Sequence, residues 1–478
     1  MNGYTIQSDK LNKNRVFILQ KSEMEKRLDP FYYVPELVEL EKKVLSKQPK
    51  KLRDYVKGIA SGATPKTTES EKYYAEKENG IPFLRVQNLS PTSILEFDDC
   101  KYINEETHNG MLKRSQVSAG DLLVKITGVG RMAVASVAPE GFEGNINQHV
   151  CVIKTGSKET SEQLAAFLNT DIGEKLASRR STGGTRPALD YPALLSIPIL
   201  NDSRILAITQ KVVEQKKQNE AAAEKLLASI DDYLLGELGI KLPIPPENTL
   251  KSRIFTTSIN DLTGNRYDPF YHQTYFNELL TSLEKSKYRK SKLGLHISEI
   301  TYGASFNNNY VESGVPLLRI KDLRRNEISV DEVVYLPESA RNLLGNCFVN
   351  ENDFLISRSG SIGIVTIVPK SIEGFAFGSF MIKFTLAENS GIIREFLSYY
   401  LNSSLMIKLV ERNKIGAIQG NITIPSIRNF PLVLPSPEEQ KNIADHITSI
   451  RQQAQQLKDK TKEALKQASE EIEKILLN

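Results

Sequence analysis

The sequence has few cysteines and no long apolar segment. Its three cysteines, Cys100, Cys151 and Cys347, form no C-x-x-C pair, and no histidine pair stands at ligand spacing. This pattern supports neither a disulfide framework nor a structural zinc site, and we expect the cysteines to be core residues. Apolar runs such as residues 362–368 are far shorter than the roughly 18–20 residues of a membrane helix. Residues 1–26 also lack the apolar block of a signal peptide, so we expect a cytoplasmic protein without a membrane partner.

The chain also lacks a strong excess of charge. Lysine and arginine total 62 against 58 acidic residues, a net charge of +4 that allows nucleic-acid binding without arguing for it. Hydrophobic residues make up 40% and charged residues 25%, which is typical of globular proteins and argues against a disordered or fibrous chain. At roughly 100–200 residues per domain, the length of 478 residues corresponds to two to four domains.

What the sequence does contain is an internal repeat. The segment Arg-Leu-Asp-Pro-Phe-Tyr-Tyr at residues 27–33 recurs, half a chain length later, as Arg-Tyr-Asp-Pro-Phe-Tyr-His at residues 266–272. Three further segments recur in the same order: 80–89 as 314–323, 120–128 as 352–360, and 191–199 as 424–432. A period this long excludes a solenoid of short units and indicates a tandem duplication of a whole domain.

Each copy mixes strand and helix patterns. Short β-branched runs bounded by glycine, proline and asparagine predict strands at residues 122–127, 150–154, 362–368 and 380–385. Amphipathic spacing predicts helices at residues 161–179 and 391–412. The Asp-Pro-Phe-Tyr segments at 29–32 and 268–271 are interpreted as turns that open helices at 34–46 and 273–285. The fold class is therefore α+β.

Each copy ends in a long helical segment, residues 203–235 and 437–477. Apolar or small residues recur three and four positions apart, as in a coiled coil. The predicted seams are Ile205, Ile208, Val212, Gln215, Asn219, Ala222 and Leu226 in the first helix, and Ile443, Ile447, Ile450, Ala454, Leu457, Thr461, Ala464 and Ala468 in the second. At 1.5 Å per residue the helices would be roughly 50 and 60 Å long, which suggests spacers that pair with each other. The alternative is that each packs only on its own domain. The proline-rich residues 241–248 are expected to break the first helix.

Several motifs of the first copy carry a family resemblance. They are Ser-Gly-Ala-Thr-Pro at 61–65, Gly-Ile-Pro-Phe-Leu at 80–84, Gly-Asp-Leu-Leu-Val at 120–124, Asn-Gln-His at 147–149, Thr-Gly-Gly-Thr-Arg-Pro-Ala-Leu at 182–189 and Tyr-Pro-Ala-Leu at 191–194. With them the chain resembles the specificity subunit of Type I restriction-modification systems over nearly its full length. The second copy departs from the pattern, since residues 302–306 lack the Thr-Pro and residues 415–421 replace the Gly-Gly-Thr-Arg loop.

The resemblance implies two target recognition domains, each reading one half of a bipartite site in double-stranded DNA, and two long helices that pair as an antiparallel coiled coil. It implies a non-catalytic chain that binds no cofactor itself. Two adenine-N6 methyltransferase subunits and restriction/translocase subunits would be its partners, and S-adenosylmethionine, ATP and magnesium would bind to them. The expected segments are an N-terminal extension (1–26), the first domain (27–200), the first spacer helix (201–240), a linker (241–252), the second domain (253–434) and the second spacer helix (435–478).

Residue chemistry in the glycine-rich loops supplies candidates for DNA contact, because such loops allow a close approach to phosphates and carry side chains that pair with base edges. The candidates are Arg85, Lys125, Arg131, Arg179, Arg180 and Arg186 in the first copy, and Arg319, Arg324, Arg325, Arg358, Lys414, Gln419 and Asn421 in the second. The matched pair Arg85 and Arg319 is assigned to the scaffold or to the DNA backbone. Pairs that differ are assigned to specificity: Lys125 with Ser357, Arg131 with Ile364, and Arg186 with Gln419. For any one of these, a solvated surface charge is the alternative.

Two motifs suggest other functions. Asp-Pro-Phe-Tyr is similar to the (Asp/Asn)-Pro-Pro-(Tyr/Phe) loop of adenine methyltransferases, but its third residue is Phe and no glycine-rich cofactor loop precedes it. Residues 128–133 fit G-x-G-x-x-A, yet a strand-like segment follows, so we interpret them as a turn between strands. A helical scaffold that joins protein partners without reading DNA remains the main alternative, and a methyltransferase is the weaker one.

Overall fold

The computed structural model describes residues 12–25, 27–247, 249–250, 254–259, 262, 266–305, 309–414 and 420–477. The chain divides into two compact units: unit 1 is Met1–Glu220 with Lys458–Asn478, and unit 2 is Ala221–Leu457. Each unit therefore holds one copy of the repeat and part of each long helix. Within the described residues, no helix has the length and apolar character needed to cross a membrane.

Unit 1 contains two four-stranded sheets and a strand pair. Its strands are β1 (Lys50–Lys51), β2 (Gly58–Ser61), β3 (Ile81–Leu84), β4 (Lys101–Ile103), β5 (Gln116–Ser118), β6 (Leu122–Lys125), β7 (Ala135–Val137), β8 (Glu143–Ile146), β9 (Val150–Lys154) and β10 (Pro198–Ile199). One sheet has the order β2-β9-β6-β7 and the other β4-β3-β8-β5, while β1 pairs with β10. All pairings in unit 1 are antiparallel except β3 with β8.

Unit 2 repeats this topology. Its strands are β11 (Arg289–Lys292), β12 (Ile297–Tyr302), β13 (Val315–Leu318), β14 (Leu323–Arg324), β15 (Glu327–Ile328), β16 (Val334–Leu336), β17 (Phe354–Ser357), β18 (Val365–Ile367), β19 (Ala376–Phe377), β20 (Met381–Leu386) and β21 (Pro431–Leu434). The sheet β12-β20-β17-β18 matches β2-β9-β6-β7, and β16-β13-β19 matches β4-β3-β8, including the parallel pair. Where unit 2 has the hairpin β14-β15, unit 1 has an isolated antiparallel bridge between Leu89 and Leu95. All four predicted strands exist, with ends shifted by up to three residues.

The helices follow the same duplication. Those of the first copy are α1 (Pro35–Leu45), α2 (Ser70–Tyr73), α3 (Glu105–Asn109), α4 (Lys158–Leu168), α5 (Asp171–Arg180), α6 (Tyr191–Leu195) and α7 (Ser203–Glu237), and those of the second are α8 (Thr274–Glu284), α9 (Arg341–Leu344), α10 (Arg394–Leu401), α11 (Ser404–Asn413), α12 (Ile424–Arg428) and α13 (Pro437–Leu477). Helices α1 and α8 confirm the two helices predicted after the Asp-Pro-Phe-Tyr turns. In those turns, Asp29 accepts a hydrogen bond from the amide of Tyr32 and Asp268 from that of Tyr271.

The prediction of single helices at 161–179 and 391–412 is wrong, because each is two helices separated by two residues, an asparagine and the N-cap of the following helix. The side chain of Asn169 donates to the carbonyl of Ala135 over 2.7 Å and accepts from its amide over 3.0 Å. Asn402 makes the same two bonds to Val365, at 2.8 and 3.1 Å. These bonds satisfy the backbone at the free edges of β7 and β18, and a continuous helix would not present the amide there.

The long helices pair within each unit. In unit 1, Asn219 of α7 donates to Thr461 of α13 over 3.1 Å, and Ile205 packs in one core with Ile472 and Leu476. In unit 2, the ring of Tyr233 lies 4.1 Å from that of His446. The start of α7 thus meets the end of α13 and its end meets the start of α13, which confirms the antiparallel coiled coil.

The seam residues predicted for α13 are buried or half-buried, as expected. The seam predicted for α7 is wrong at two of its positions. Gln215 and Ala222 are exposed, whereas Ala223 is buried, because the helix presents the neighbouring residue to its partner. The expected cause of its end is also wrong. The helix stops before the prolines, at Gly239, which has φ of +65° and is followed by a bond from the Ile240 amide to the Leu235 carbonyl of 2.8 Å. This is a glycine C-cap.

The cysteines differ in burial. Cys151 lies in β9 without solvent exposure, and burial raises the pKa of its thiol to about 12. Cys100 and Cys347 are only half-buried, so the prediction of three core cysteines is wrong for these two. Among the residues that the structure describes, no group of His, Cys, Asp and Glu could hold a metal ion.

Candidate nucleic-acid interface

Three loops of unit 1 meet at the ends of β2, β6 and β9. Gly62 lies so close to the carbonyls of Ile146 and Asn147 that a Cβ would clash with them. The loop 182–189 joins the group through a bond from the Gly128 amide to the Pro187 carbonyl of 3.0 Å. The chain therefore brings together the motifs at 61–65, 147–149 and 182–189, which are far apart in sequence.

Four polar side chains form the first loop cluster: Thr64, Gln148, His149 and Arg186. The Thr64 hydroxyl donates to the Gln148 side-chain carbonyl. Both the Gln148 amide and the Arg186 guanidinium lie 3.3 Å from Nε2 of His149. Because both partners are donors, Nε2 accepts and carries no proton. Burial and the charge of Arg186 lower the pKa of His149, which favours this neutral imidazole.

Unit 2 builds the same junction with other side chains. The amide of Ile126 donates to the carbonyl of His149 over 2.9 Å, and that of Arg358 donates to Phe380 over 2.8 Å. Likewise Leu189 donates to Ile126 and Ile422 donates to Arg358, at 2.8 and 3.1 Å. These bonds make Phe380 the counterpart of His149 and Arg358 that of Ile126.

The second loop cluster consists of Tyr302, Arg358, Ser379, Phe380 and Asn421. The guanidinium of Arg358 lies 4.7 Å from the ring centre of Tyr302, a cation–π contact, and Nη1 donates to the Ser379 carbonyl over 3.4 Å. Asn421 pairs through its backbone with Ser359. Gly303 repeats the close approach of Gly62, this time to Gly378. The cluster thus offers a cation, an amide and aromatic surfaces where unit 1 offers imidazole, guanidinium and amide.

Arg85 and Arg319 hold equivalent turns. The backbone amide of each donates to the side chain three residues on, over 2.8 Å, that of Asn88 for Arg85 and that of Asp322 for Arg319. Each guanidinium donates to a backbone carbonyl, that of Asp99 over 2.5 Å for Arg85 and that of Glu332 for Arg319. Within the protein, both side chains therefore hold a backbone turn.

Lys125 points inward and does not belong to the cluster. It is buried, and its ammonium donates to the Val129 carbonyl over 2.7 Å, while Ser357 donates to the equivalent Ser361 carbonyl over 2.5 Å. Burial lowers the pKa of Lys125. The two different residues therefore hold the same turn, and their burial contradicts the prediction that this pair sets specificity.

Arg131 does not face Ile364. The amide of Lys125 donates to Val134 and that of Ser357 to Ile364, so Ile364 corresponds to Val134. The intervening turn is longer in unit 1. Arg131 belongs to that longer turn, and its guanidinium contacts the carboxylate of Asp171 and the carbonyl of Asn169, at 2.8 and 2.5 Å. Residues 128–133 themselves lie between β6 and β7, which confirms the predicted turn.

Arg179 and Arg180 are buried, with exposed fractions of 6% and 8%. Both guanidinium groups pair with the carboxylate of Glu41 in α1. Arg179 also donates to the Tyr32 carbonyl over 2.8 Å, as Arg412 of unit 2 donates to the Tyr271 carbonyl over 3.0 Å. This burial argues against DNA contact and gives the two arginines a role in holding the Asp-Pro-Phe-Tyr segment.

The remaining candidates of the second copy are separated. Arg324 and Arg325 are exposed on the hairpin β14-β15, and Lys414 is exposed after α11, where its carbonyl accepts from Arg266 over 3.2 Å. Gln419 lies outside the described residues. Of the predicted residues that the structure describes, Arg358 and Asn421 therefore lie in the second cluster, and Arg186 lies in the first.

Sequence reasoning missed Thr64, Gln148, His149, Tyr302, Ser379 and Phe380 as site residues. The motifs at 61–65 and 147–149 contain half of them, and matching the turn before β9 with the turn before β20 would have found Ser379 and Phe380. The repeat signal is weak at that turn because the two copies share no side chain there.

Comparisons with known proteins show which proteins this chain is similar to. Residues 287–467 match the model of the Type I restriction modification DNA specificity domain. The chain is 25% identical over 261 residues to the Type I restriction enzyme MjaVIII specificity subunit of Methanocaldococcus jannaschii, covering 50% of this chain and 61% of that protein. It is 19% identical over 436 residues to the Type I restriction enzyme EcoBI specificity subunit of Escherichia coli, covering 88% and 83%.

A solved structure of the Type I restriction-modification system S subunit from M. genitalium is 11% identical, with a TM-score of 0.39, and covers 90% of this chain and 94% of that one. Together, these matches show that the chain is similar to Type I restriction-modification specificity subunits, and that its residues 287–467 resemble their DNA specificity domain.

Proposed function

We propose that this chain is the non-catalytic DNA-reading subunit of a Type I restriction-modification complex. Each unit reads one half of a bipartite site in double-stranded DNA through its loop cluster. Two adenine-N6 methyltransferase subunits and restriction/translocase subunits assemble with the chain, and S-adenosylmethionine, ATP and magnesium belong to those partners.

One observation carries this proposal: the two loop clusters share their backbone bonds and differ in their side chains. The Ile126 to His149 and Arg358 to Phe380 bonds, 2.9 and 2.8 Å, fix the same junction in both units. Direct readout of DNA needs a fixed backbone and variable donors, acceptors and apolar groups, because sequence lies in the base edges and not in the phosphates. A scaffold that only joins proteins has no need of such a paired difference.

The test is a domain exchange. Residues 52–198 are replaced by the same segment of another specificity subunit, and the chain is expressed with its methyltransferase in cells whose modified sites are sequenced. We expect one half of the methylated sequence to change and the other to stay. A change in both halves of the methylated sequence, or in neither, would contradict the proposal that each unit reads one half independently. It would support the alternative of a scaffold that does not read DNA.

We further propose that α7 and α13 fix the distance between the two halves of the site. A four-residue insertion near Glu220 adds about 6 Å and turns the helix face about 40° beyond a full turn, so the seam nearly persists. The expected site keeps both halves and gains one or two base pairs of spacer, at roughly 3.4 Å each. A two-residue insertion turns the face about 200° and should instead disrupt the pairing. An active variant with the four-residue insertion and an unchanged spacer would contradict the proposal that α7 and α13 fix this distance.

A further inference from the structure

The second loop cluster presents an apolar ring to solvent. Phe380 is 50% exposed. Single exposed apolar side chains are common on protein surfaces, so exposure alone carries no functional meaning. The position does carry meaning, because Phe380 is the counterpart of His149, whose Nε2 contacts Arg186 in the first cluster.

The backbone that holds the ring is fixed on both sides. Ser379 donates to Ala304 over 2.8 Å, Met381 donates to Gly378 over 3.0 Å, and the Phe380 carbonyl accepts from Arg358 over 2.8 Å. A side chain on such a turn is held in place before any ligand arrives, which favours specific contact over adaptive contact.

The chemistry of the ring limits what it can recognise in DNA. Phenylalanine has no hydrogen-bond donor or acceptor, so it cannot pair with the polar edges of guanine, cytosine or adenine. The major groove carries one apolar feature, the C5 methyl group of thymine. A cavity of about 310 Å³ lies beside the ring, with Tyr310 and Arg319 among its walls, and leaves room for a base edge.

We propose, on the basis of the proposed function, that Phe380 is a specificity-determining residue of unit 2 and contacts the methyl group of a thymine in the half-site that this unit reads. Arg358, held over Tyr302 beside it, supplies the charge that keeps the DNA close. In unit 1 the same backbone position carries a neutral imidazole, which reads a polar edge.

The test uses the full chain with its cognate methyltransferase and a duplex of the methylated sequence. Each thymine of the unit 2 half is replaced in turn by uracil, which removes only the methyl group. At one position we expect the wild type to methylate the uracil duplex about fourfold less efficiently. Phe380→Ala should treat both duplexes alike, whereas Phe380→Leu, which stays apolar, should keep part of the preference.

Leu343→Ala is the matched control, since Leu343 is 87% exposed but lies in α9, outside the cluster. It should keep the wild-type preference. A wild type that shows no thymine preference over uracil anywhere in this half, or a Phe380→Ala variant that retains one, would overturn the inference. These results are separable from failure of the proposed function, because the domain exchange would still move one half of the site.

Discussion

The two loop clusters differ in side-chain chemistry, although the same pattern of backbone hydrogen bonds positions them. In unit 1 the cluster is polar, built on His149 and Arg186, and in unit 2 it is aromatic and cationic, built on Phe380 and Arg358 over Tyr302. The bonds that position them pair the same strands and turns in both units. A duplicated domain can therefore keep its backbone bonds and change the chemistry of its loop cluster by substitution at a few positions.

Comparing the two units also distinguishes buried arginines, which stabilise the fold, from arginines that face solvent. Arg179 and Arg412 match, and both stack on a tyrosine of the Asp-Pro-Phe-Tyr segment, at 3.9 and 4.2 Å from the ring centre. Unit 1 adds a second buried arginine, Arg180, and a buried Glu41 that pairs with both arginines. Helix α8 has Leu280 at the corresponding position, so unit 2 lacks this carboxylate.

The largest expected effect comes from removing the Glu41 carboxylate, which unit 2 lacks. Glu41→Ala leaves two buried guanidinium groups without their carboxylate, and we expect a loss of about 3–5 kcal/mol in the stability of unit 1. Hydrogen exchange followed separately over α1 and α5 and over α8 and α11 should show loss of protection in unit 1 alone. The matched change Leu280→Ala should give a smaller loss, confined to unit 2. Equal loss of protection in both units would contradict the assignment.

Intermediate effects are expected from two substitutions in unit 1, one of a residue proposed to contact DNA and one of a residue that holds a turn. Arg186 is exposed in the first cluster, so Arg186→Ala should weaken or relax the first half of the site by about 1–3 kcal/mol if the guanidinium contacts a guanine edge. Lys125→Ala removes a buried bond to the Val129 carbonyl and should lower the melting temperature without altering base preference. Binding assays on duplexes varied at each base measure both. A changed preference in the lysine variant, or none in the arginine variant, would reverse these roles.

The smallest effect is a pH dependence. Burial and the charge of Arg186 lower the pKa of His149 in the folded chain, so the unfolded chain binds the proton more readily. The stability contributed by the neutral imidazole is present above the ordinary histidine pKa of about 6.5 and is lost as the pH falls below it. Melting curves from pH 7.5 to 5 should show a steeper loss for the wild type than for His149→Phe, which carries the unit 2 residue. Parallel curves would show that His149 keeps an ordinary pKa.

The repeat, the fold class and the helix pairing could be predicted from the sequence because each rests on a long pattern. The split at Asn169 could not, because an asparagine in an amphipathic segment does not reveal that it will bond to the edge of β7. Lys125 and Arg179 are predicted to contact DNA because charged side chains in such loops suggest exposure. Instead, the carbonyl of nearby Val129 binds Lys125, and the carboxylate of Glu41, distant in sequence, binds Arg179. Phe380 was missed because aromatic residues are expected in cores.

We propose that the side chains of the loop clusters, held on matched backbone bonds, determine which bases are recognised. The direct measurement is sequencing of modified sites in cells that express, with the methyltransferase, a chain carrying Gln148→Ser, His149→Phe and Arg186→Gln. These changes give unit 1 the residues of unit 2 at three matched positions. We predict a methylated sequence whose first half has new bases and whose second half and spacer are those of the wild type. An active variant with an unaltered first half would contradict it.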